Sequence, residues 1–504
     1  MQKIIESYDI EADEFKVRVN IVGGEGAIKR YEISVPEPKL ATKALLNEVR
    51  RSLITEVRVS ASEILDVKGM GVLKERFKKK AESVLDKILP SLNDATKKLL
   101  IGTLLHEMVG FGEIEFLLND GQLEEIILLS AEESIRVFHK KYGWLITNVN
   151  VESEAQIQNY ASMIARRVGR QINTLNPLLD AHLVTGDRAN AVFYPISSKG
   201  NTITIRKFAR DPWTVTDFIK NETSSPEVFA LIWLVMQYEM NILISGGTGS
   251  GKTSFLNLCT PFIPPTQRII SIEDTRELQL PKFLYWCPMT TRISNVEGKG
   301  EVTMLDLLIN SLRMRPDRII LGEMRRKEEA EVLFEAMHTG HSVYATVHAD
   351  SIMETISRLI NPPLNVPPNL LPAVNLNVVM FRDRRTGIRR TYQVGEFIST
   401  DKGNGASVDP NIIYRWKPQT DKITKHNASL RLFEDLTRHT GMSQMEIDRE
   451  LEVRKKMLLY LVKNNLRDIR QVGKFMNQYY SDPEFVINNV LKNASPNTVL
   501  GGQQ

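Results

Sequence analysis

The sequence predicts an α/β protein with a mostly parallel central sheet, preceded by α+β domains and followed by a helical tail. An apolar run at residues 241–245 leads into a glycine-rich loop and then a helix-forming segment. Further apolar, strand-like runs end in carboxylates at Glu273 and Glu323. From residue 226 onward, helical and extended patterns alternate in the order typical of a doubly wound sheet.

Clusters of proline, glycine and polar residues divide the chain into consecutive regions. Residues near the start alternate in polarity and then become helical until Pro90, while Ser443 and Glu446 form a capping-box pattern near the end. We predict a small α+β domain at residues 1–95 and a second α+β domain at residues 96–208. A linker at residues 209–225 leads to the α/β domain at residues 226–400, and a mainly helical extension follows at residues 401–504.

Composition restricts the class of protein. The 65 basic and 61 acidic residues leave a net charge of only +4, so no strong field attracts nucleic acid. Cys259 and Cys287 are the only cysteines, which favours a reducing compartment and excludes a cysteine-rich zinc site. We find no signal or transit peptide, and the longest apolar run, residues 228–236, is about half of the ~20 residues that a spanning helix requires. We therefore expect a cytoplasmic protein.

The glycine-rich loop fits G-x-x-x-x-G-K-[ST] at every position. Glycines allow successive backbone N–H groups to turn toward one anion, and the next helix presents its positive N-terminus. We expect Lys252 to reach the β- and γ-phosphates of ATP and Thr253 to ligate Mg²⁺. The predicted nucleotide-binding residues are Gly246, Gly247, Thr248, Gly249, Ser250, Gly251, Lys252, Thr253 and Ser254.

Two carboxylates are candidates for the general base that orients the attacking water. Glu273 ends one apolar run, and Glu323 follows another after Gly322. An aspartate that ligates Mg²⁺ would ordinarily occupy the position of Gly322, so we expect Glu323 to act on the metal or on its water. The sequence leaves the choice of base open.

Histidines and arginines complete the set of predicted catalytic residues. His341 and His348 flank an apolar run, and either could contact the γ-phosphate or a catalytic carboxylate. Arg188 and Arg206 lie upstream of the predicted linker. ATP-driven machines use an arginine from another domain or subunit to neutralise transition-state charge, so we include both arginines.

A basic segment, Arg382–Arg390, lies between two β-like runs and is predicted to form a hairpin. It is either a solvated hairpin or a docking element for an acidic cytoplasmic loop or lipid headgroups. The sequence leaves both interpretations open.

Together these motifs resemble the type II/type IV secretion ATPase superfamily, as its Walker A, Asp box, Walker B and His box in that order. The missing Walker B aspartate is normal for that family. The chain is most similar to its archaeal type IV pilus assembly ATPases, with archaellum motor ATPases as near relatives. The resemblance implies a RecA-like ATPase domain, a homo-hexameric ring, and ATP bound between the N-terminal and catalytic domains, where Arg188 and Arg206 approach the phosphates.

The function implied is ATP hydrolysis at the inner face of the cell membrane, coupled through a polytopic membrane platform protein to type IV filament assembly or type II-like secretion. An archaellum motor is the alternative within the superfamily. A nucleic-acid translocase with a RecA-like core is a further alternative, but the sequence contains no interleaved basic and aromatic patch, so nucleic acid is not an expected partner. A nucleotide-gated scaffold without turnover is the remaining alternative.

Overall fold

The structure is a computed structural model that describes residues 4–12, 15–23, 28–35, 40–56, 67–183, 186–208, 211–294, 298–401 and 406–501. The chain divides into two compact units, residues 1–210 and 211–504. Residues 209 and 210, where the predicted linker begins, lie outside the described residues. Among the described helices, none is both long enough and apolar enough to span a bilayer.

Unit 1 contains a nine-stranded sheet. Its strands are β1 (Ile4–Ala12), β2 (Phe15–Val22), β3 (Arg30–Ser34), β4 (Leu123–Leu128), β5 (Arg136–His139), β6 (Gly143–Thr147), β7 (Leu178–His182), β8 (Arg188–Val192) and β9 (Thr202–Arg206). They are arranged in the order β1-β2-β3-β6-β5-β4-β9-β8-β7, and only the β3–β6 pair is parallel. One sheet therefore crosses the predicted domain boundary at residue 95.

The helices of unit 1 form two groups. They are α1 (Leu40–Glu56), α2 (Val67–Ile88), α3 (Asp94–Met108), α4 (Ile114–Asn119) and α5 (Glu154–Arg167). The first three pack on one another around Leu53, Phe77 and Leu104, in a core separate from that of the sheet. Helix α5 instead buries Ile157 and Ala161 in the core of the sheet.

A buried carboxylate joins the first strands to the rest of the unit 1 sheet. Asp120 is 1% exposed, and its Oδ2 accepts hydrogen bonds from the hydroxyls of Tyr8 and Tyr31, each at 2.7 Å. Its Oδ1 accepts from the backbone N–H of Gln122 at 2.8 Å. Burial and the charge of Asp120 raise the pKa of both tyrosines, so both remain neutral donors.

Unit 2 is built on a second nine-stranded sheet. Its strands are β10 (Ile242–Gly246), β11 (Arg268–Glu273), β12 (Tyr285–Thr290), β13 (Arg318–Leu321), β14 (Ser342–Val347), β15 (Leu376–Arg382), β16 (Arg389–Asp401), β17 (Ala406–Lys417) and β18 (Lys422–Lys425). The order is β12-β11-β13-β14-β10-β15-β16-β17-β18, parallel as far as β15 and antiparallel beyond it. The predicted fold class is confirmed, although the sheet continues past the predicted boundary at residue 400.

Helices cover both faces of this sheet. They are α6 (Val215–Lys220), α7 (Pro226–Gln237), α8 (Lys252–Cys259), α9 (Met304–Ser311), α10 (Lys327–His338), α11 (Ile352–Ile360), α12 (Leu432–Thr440), α13 (Gln444–Lys463), α14 (Ile469–Ser481), α15 (Pro483–Leu491) and α16 (Pro496–Val499). Short 3₁₀ turns occur at Thr260–Phe262, Leu312–Met314 and Pro368–Ala373. Helices α7, α8 and the tail share one core, whereas α9, α10 and α11 pack on the opposite face.

The apolar run at residues 228–236 belongs to α7, and each of its side chains is at most 1% exposed. Helix α13 packs against α7, where Arg454 donates to Gln237 Oε1 at 2.8 Å and lies over the ring of Trp233. The capping box predicted at Ser443 and Glu446 begins α13. The tail and the sheet bury this helix from both sides, which explains why all of its faces are apolar.

Buried Glu396 connects the tail to the sheet. Its carboxylate lies on β16 with no exposed surface and accepts backbone N–H bonds from Leu430 and Leu432, each at 2.6 Å. Asn411 on β17 donates to the same carboxylate at 2.7 Å. A negative charge at the first turn of α12 satisfies its N–H groups and complements its dipole.

We predict that Asp120→Ala loosens the first strands of unit 1. Removing the shared acceptor takes the carboxylate away from the buried hydroxyl of Tyr31 and the half-buried hydroxyl of Tyr8, which costs about 3 kcal/mol. Hydrogen exchange measured by mass spectrometry should therefore be about 100-fold faster for the β1 and β3 amides, with no change in unit 2.

The matched control is Asp9→Ala, which removes an exposed ion pair with Arg18 on the same sheet and should leave exchange unchanged. Equal exchange in both variants would show that Asp120 does not connect these strands.

Candidate functional site

The glycine-rich loop lies at the carboxyl edge of the unit 2 sheet. Strand β10 runs parallel between β14 and β15 and ends at Gly246, and α8 begins at Lys252. Gly246 has φ 152°, and a Cβ there would lie 2.5 Å from the carbonyl oxygen of Met380. Gly251 has φ 93° directly before α8. The close neighbour and the positive φ angles require glycine at these positions.

Lys252 places an ammonium under this loop. Its Nζ donates to the carbonyl oxygens of Gly246 at 2.8 Å and Gly247 at 3.0 Å. The residue is 8% exposed, and burial lowers the pKa of the ammonium. Within the described ranges, no carboxylate lies within ion-pair distance of Nζ. A buried cation whose hydrogen-bond partners are all neutral lacks a counter-charge, and a bound anion would supply one.

Polar contacts extend from Lys252 along the neighbouring strand ends. His348, just after β14, faces Lys252 Nζ with Nδ1 at 3.4 Å and Glu323 Oε1 with Nε2 at 2.8 Å. One neutral tautomer with its proton on Nε2 satisfies both contacts. Burial and the charge of Lys252 lower the pKa of His348, which keeps the imidazole neutral.

The same chain of contacts continues from Glu323 to β11. Glu323 Oε2 accepts from Nη2 of Arg325 at 2.6 Å and from its Nε at 2.9 Å. The Nη1 of Arg325 contacts Asp274, which follows β11. The contacts thus pass from β10 through β14 and β13 to β11, which is the order of these strands in the sheet.

Glu273 lies at the end of β11 and is 2% exposed. Its Oε1 accepts backbone N–H bonds from Glu277 at 2.9 Å and Leu278 at 3.0 Å. Its Oε2 is buried without a hydrogen-bond partner among the described residues. Burial raises the pKa of Glu273 to about 7, because the ionised carboxylate loses its hydration. Such a group can exchange a proton near neutral pH.

Three polar residues that the sequence analysis did not assign to the site border the glycine-rich loop. Asp350 Oδ1 lies 2.8 Å from the position of a Cβ on Gly247. Arg389 Nε donates to the carbonyl oxygen of Gly249 at 3.0 Å, and Arg382 Nη1 lies 2.7 Å from the position of a Cβ on Gly249. The predicted basic hairpin forms, but Arg382 and Arg389 are directed to the loop because β15 is the neighbour of β10.

The prediction that His341 contacts the phosphates requires a correction. His341 precedes β14 and His348 follows it, so the strand separates them by about 20 Å. The Nδ1 of His341 contacts Thr339 Oγ1 at 3.2 Å in a cleft of about 690 Å³ at the opposite edge of the sheet. Only His348 of the predicted pair reaches the loop of this chain.

Arg188 and Arg206 lie in unit 1, opposite each other on the antiparallel strands β8 and β9. Arg188 forms an ion pair with Asp180 at 2.7 Å. Arg206 also faces Glu125 on β4. Burial raises the pKa of Glu125, while Arg206 opposes that shift. A role for either arginine at the nucleotide stays a prediction.

Comparison with known proteins gives two family matches. Residues 132–382 match the family described as Type II/IV secretion system protein, and residues 419–499 match the one described as PilB3-like, C-terminal. An uncharacterized protein of Methanocaldococcus jannaschii is 33% identical over an alignment covering 92% of this chain and 87% of that protein.

Two further proteins are similar to parts of the chain. The type IV secretion system protein PtlH of Bordetella pertussis is 31% identical over 44% of this chain and 72% of its own length. The X-ray structure of the Legionella pneumophila ATPase DotB is 16% identical, with a TM-score of 0.39, over 75% of this chain and 94% of that chain.

We predict that Lys252→Met raises stability while it removes anion binding. Burial depresses the folded-state pKa of Lys252 below its unfolded value, so the charge opposes folding at neutral pH. Without ligand, the variant should be more stable by about 1 kcal/mol. ADP at about 100 times its Kd should stabilise the wild type by about 2.7 kcal/mol and the variant hardly at all.

Thermal unfolding with and without ADP measures both effects. The control is Lys282→Met, which removes an exposed lysine of the same unit and should retain the full ADP shift. An ADP shift of wild-type size in Lys252→Met would contradict the assignment of the ammonium to the anion site.

Proposed function

Because this chain belongs to the type II/IV secretion system protein family, we propose that it is an ATP hydrolase that drives assembly of a type IV filament or type II-like secretion. One observation carries the proposal: the ammonium of Lys252 is buried in the glycine-rich loop without a carboxylate partner within the described ranges. An anion of high charge compensates such a cation, and a nucleoside triphosphate supplies one.

The loop binds the phosphates through its backbone N–H groups, from Gly247 to Ser254, and through Lys252. The hydroxyl of Thr253 and the carboxylate of Glu323 are hard oxygen donors that fit Mg²⁺, which commonly binds one or two protein ligands together with phosphates and water. When bound, Mg²⁺ neutralises charge on the phosphate oxygens. Both sets of donors belong to unit 2.

Glu273 is the general base in this proposal. Its Oε2 has no hydrogen-bond partner among the described residues, and its pKa of about 7 allows it to accept a proton from water. Both oxygens of Glu323 are engaged, by His348 and by Arg325. Glu323 is thus better suited to hold the metal or its water, while His348 keeps Glu323 and Lys252 in position.

The motor works as a homo-hexamer in this proposal, with Arg188 and Arg206 neutralising charge at the transferring phosphate. It is cytoplasmic, peripheral to the inner face of the cell membrane, and acts on a polytopic platform protein. The exposed Arg384 and Arg385 contact lipid headgroups in this proposal. An archaellum motor is the alternative within the same family. No nucleic acid takes part.

We predict that kcat/KM for ATP rises with pH through about 7. Glu273 accepts a proton only when ionised, so the value should fall tenfold per pH unit below its pKa of about 7. Glu273→Gln should lose at least about 100-fold in kcat at pH 8. Glu277→Gln, an exposed neighbour, is the control and should keep most of the activity. A flat profile from pH 5.5 to 8 would exclude Glu273 as the base.

The test of the whole proposal is steady-state ATP hydrolysis by wild type, Lys252→Ala and Glu323→Gln, with oligomeric state recorded in parallel. Mg²⁺-dependent turnover should rise with hexamer formation and with archaeal-type lipid vesicles, and each variant should lose at least about 100-fold. Stimulation by DNA with no response to lipid would favour a translocase. Binding of ATP by assembled hexamers without any turnover would favour the scaffold.

A further inference from the structure

Arg382, the last residue of β15, lies against the glycine-rich loop. In the β10–β15 register, Gly246 pairs with Met380, two residues before Arg382. Arg382 Nη1 lies 2.7 Å from the position of a Cβ on Gly249, and its Cζ and Cδ lie 3.8 and 3.9 Å from the same point. The side chain of Arg382 therefore runs along the loop and does not extend toward the tip of the hairpin.

The side chain of Arg382 has no hydrogen-bond or ion-pair partner among the residues that the structure describes. It is half-buried, and its Nε is fully buried. A guanidinium carries five N–H donors, and withdrawing it from water without an acceptor costs free energy. Partial burial of Arg382 therefore carries a desolvation cost that no hydrogen bond or ion pair among the described residues offsets.

The other arginines of the hairpin differ from Arg382. Arg390 forms an ion pair with Asp421 at 2.6 Å, and Arg389 donates to the carbonyl oxygen of Gly249. Arg384 and Arg385 are exposed at the turn, where water satisfies them. Of these five, Arg382 combines partial burial, contact with the loop and the lack of a described acceptor.

We infer that Arg382 is a nucleotide-binding residue whose guanidinium binds a phosphate group held in the loop of its own subunit. The inference rests on the proposed function and adds a second cation to the site. Lys252 reaches the loop at Gly246 and Gly247, whereas Arg382 reaches it at Gly249. A planar guanidinium fits phosphate oxygens well, and a phosphate supplies the missing acceptors.

The test compares Arg382→Ala with Arg385→Ala, which removes the same charge from the exposed tip. Calorimetry measures Kd for Mg-ADP and for inorganic pyrophosphate on the full chain. Arg382→Ala should weaken both by about tenfold, the size of one charge-assisted hydrogen bond, and Arg385→Ala by less than about twofold. KM for Mg-ATP should rise by about tenfold with little change in kcat.

Stability without nucleotide separates a binding role from a structural one. Because Arg382 makes no hydrogen bond or ion pair with the described residues, Arg382→Ala should unfold at the wild-type temperature or above it. A lower unfolding temperature that Arg382→Lys restores would assign a structural role and overturn the inference. Weaker ADP binding with unchanged pyrophosphate binding would place Arg382 at the sugar or base, and would overturn the phosphate assignment.

The outcome for the proposed function is read from the wild type. Wild-type hydrolysis of ATP together with wild-type affinities in Arg382→Ala would overturn this inference alone. A wild type that binds neither ADP nor pyrophosphate would overturn the proposed function and the inference together.

Discussion

The buried ammonium of Lys252 is the interaction on which the site depends. Its two contacts to loop carbonyls fix the loop from below, and its third contact, to His348, connects it to the carboxylate of Glu323. These residues meet because β10, β14 and β13 are parallel neighbours whose carboxyl ends share one edge. The strand order therefore determines the polar contacts, and the helices on both faces hold that order in place.

Arg318, a buried cation elsewhere in unit 2, contrasts with the two cations at the loop. Arg318 is 0% exposed at the opposite edge of the sheet, yet all five of its N–H groups have acceptors. The acceptors are Gln267 Oε1 for Nε and Nη2, Met236 O for Nη2, and Ser342 Oγ and Tyr344 Oη for Nη1. The hydrogen bonding of Arg318 is complete within the fold, whereas the hydrogen-bond partners of Lys252 are all neutral and Arg382 has no hydrogen-bond or ion-pair partner among the described residues. A bound anion would supply what these two cations lack.

Sequence patterns predicted much of the site because strand ends carry its chemistry. The run before each of Glu273, Glu323 and His348 is apolar and short, so each side chain was predicted to follow a strand and to act at the nucleotide. The prediction for His341 was wrong because His341 precedes β14, and in a parallel sheet the start of a strand lies at the edge opposite its carboxyl end. The role of Arg382 required the neighbour relation of β15 and β10, which spacing along the chain does not contain. The single sheet of unit 1 was missed for the same reason, since Arg30 of β3 pairs with Ile146 of β6, 116 residues further along the chain.

The contacts of Glu323 limit how it can act on a metal ion. One of its oxygens accepts from His348 and the other from Arg325, and Arg325 is in turn tied to Asp274. A direct bond to Mg²⁺ would compete with His348 or with Arg325, and loss of the first would also release a contact of Lys252. Coordination through a bound water leaves every one of these contacts in place, because a carboxylate oxygen accepts more than one hydrogen bond. These contacts therefore support the proposal in which Glu323 holds the metal's water and Glu273 is left available to accept the proton.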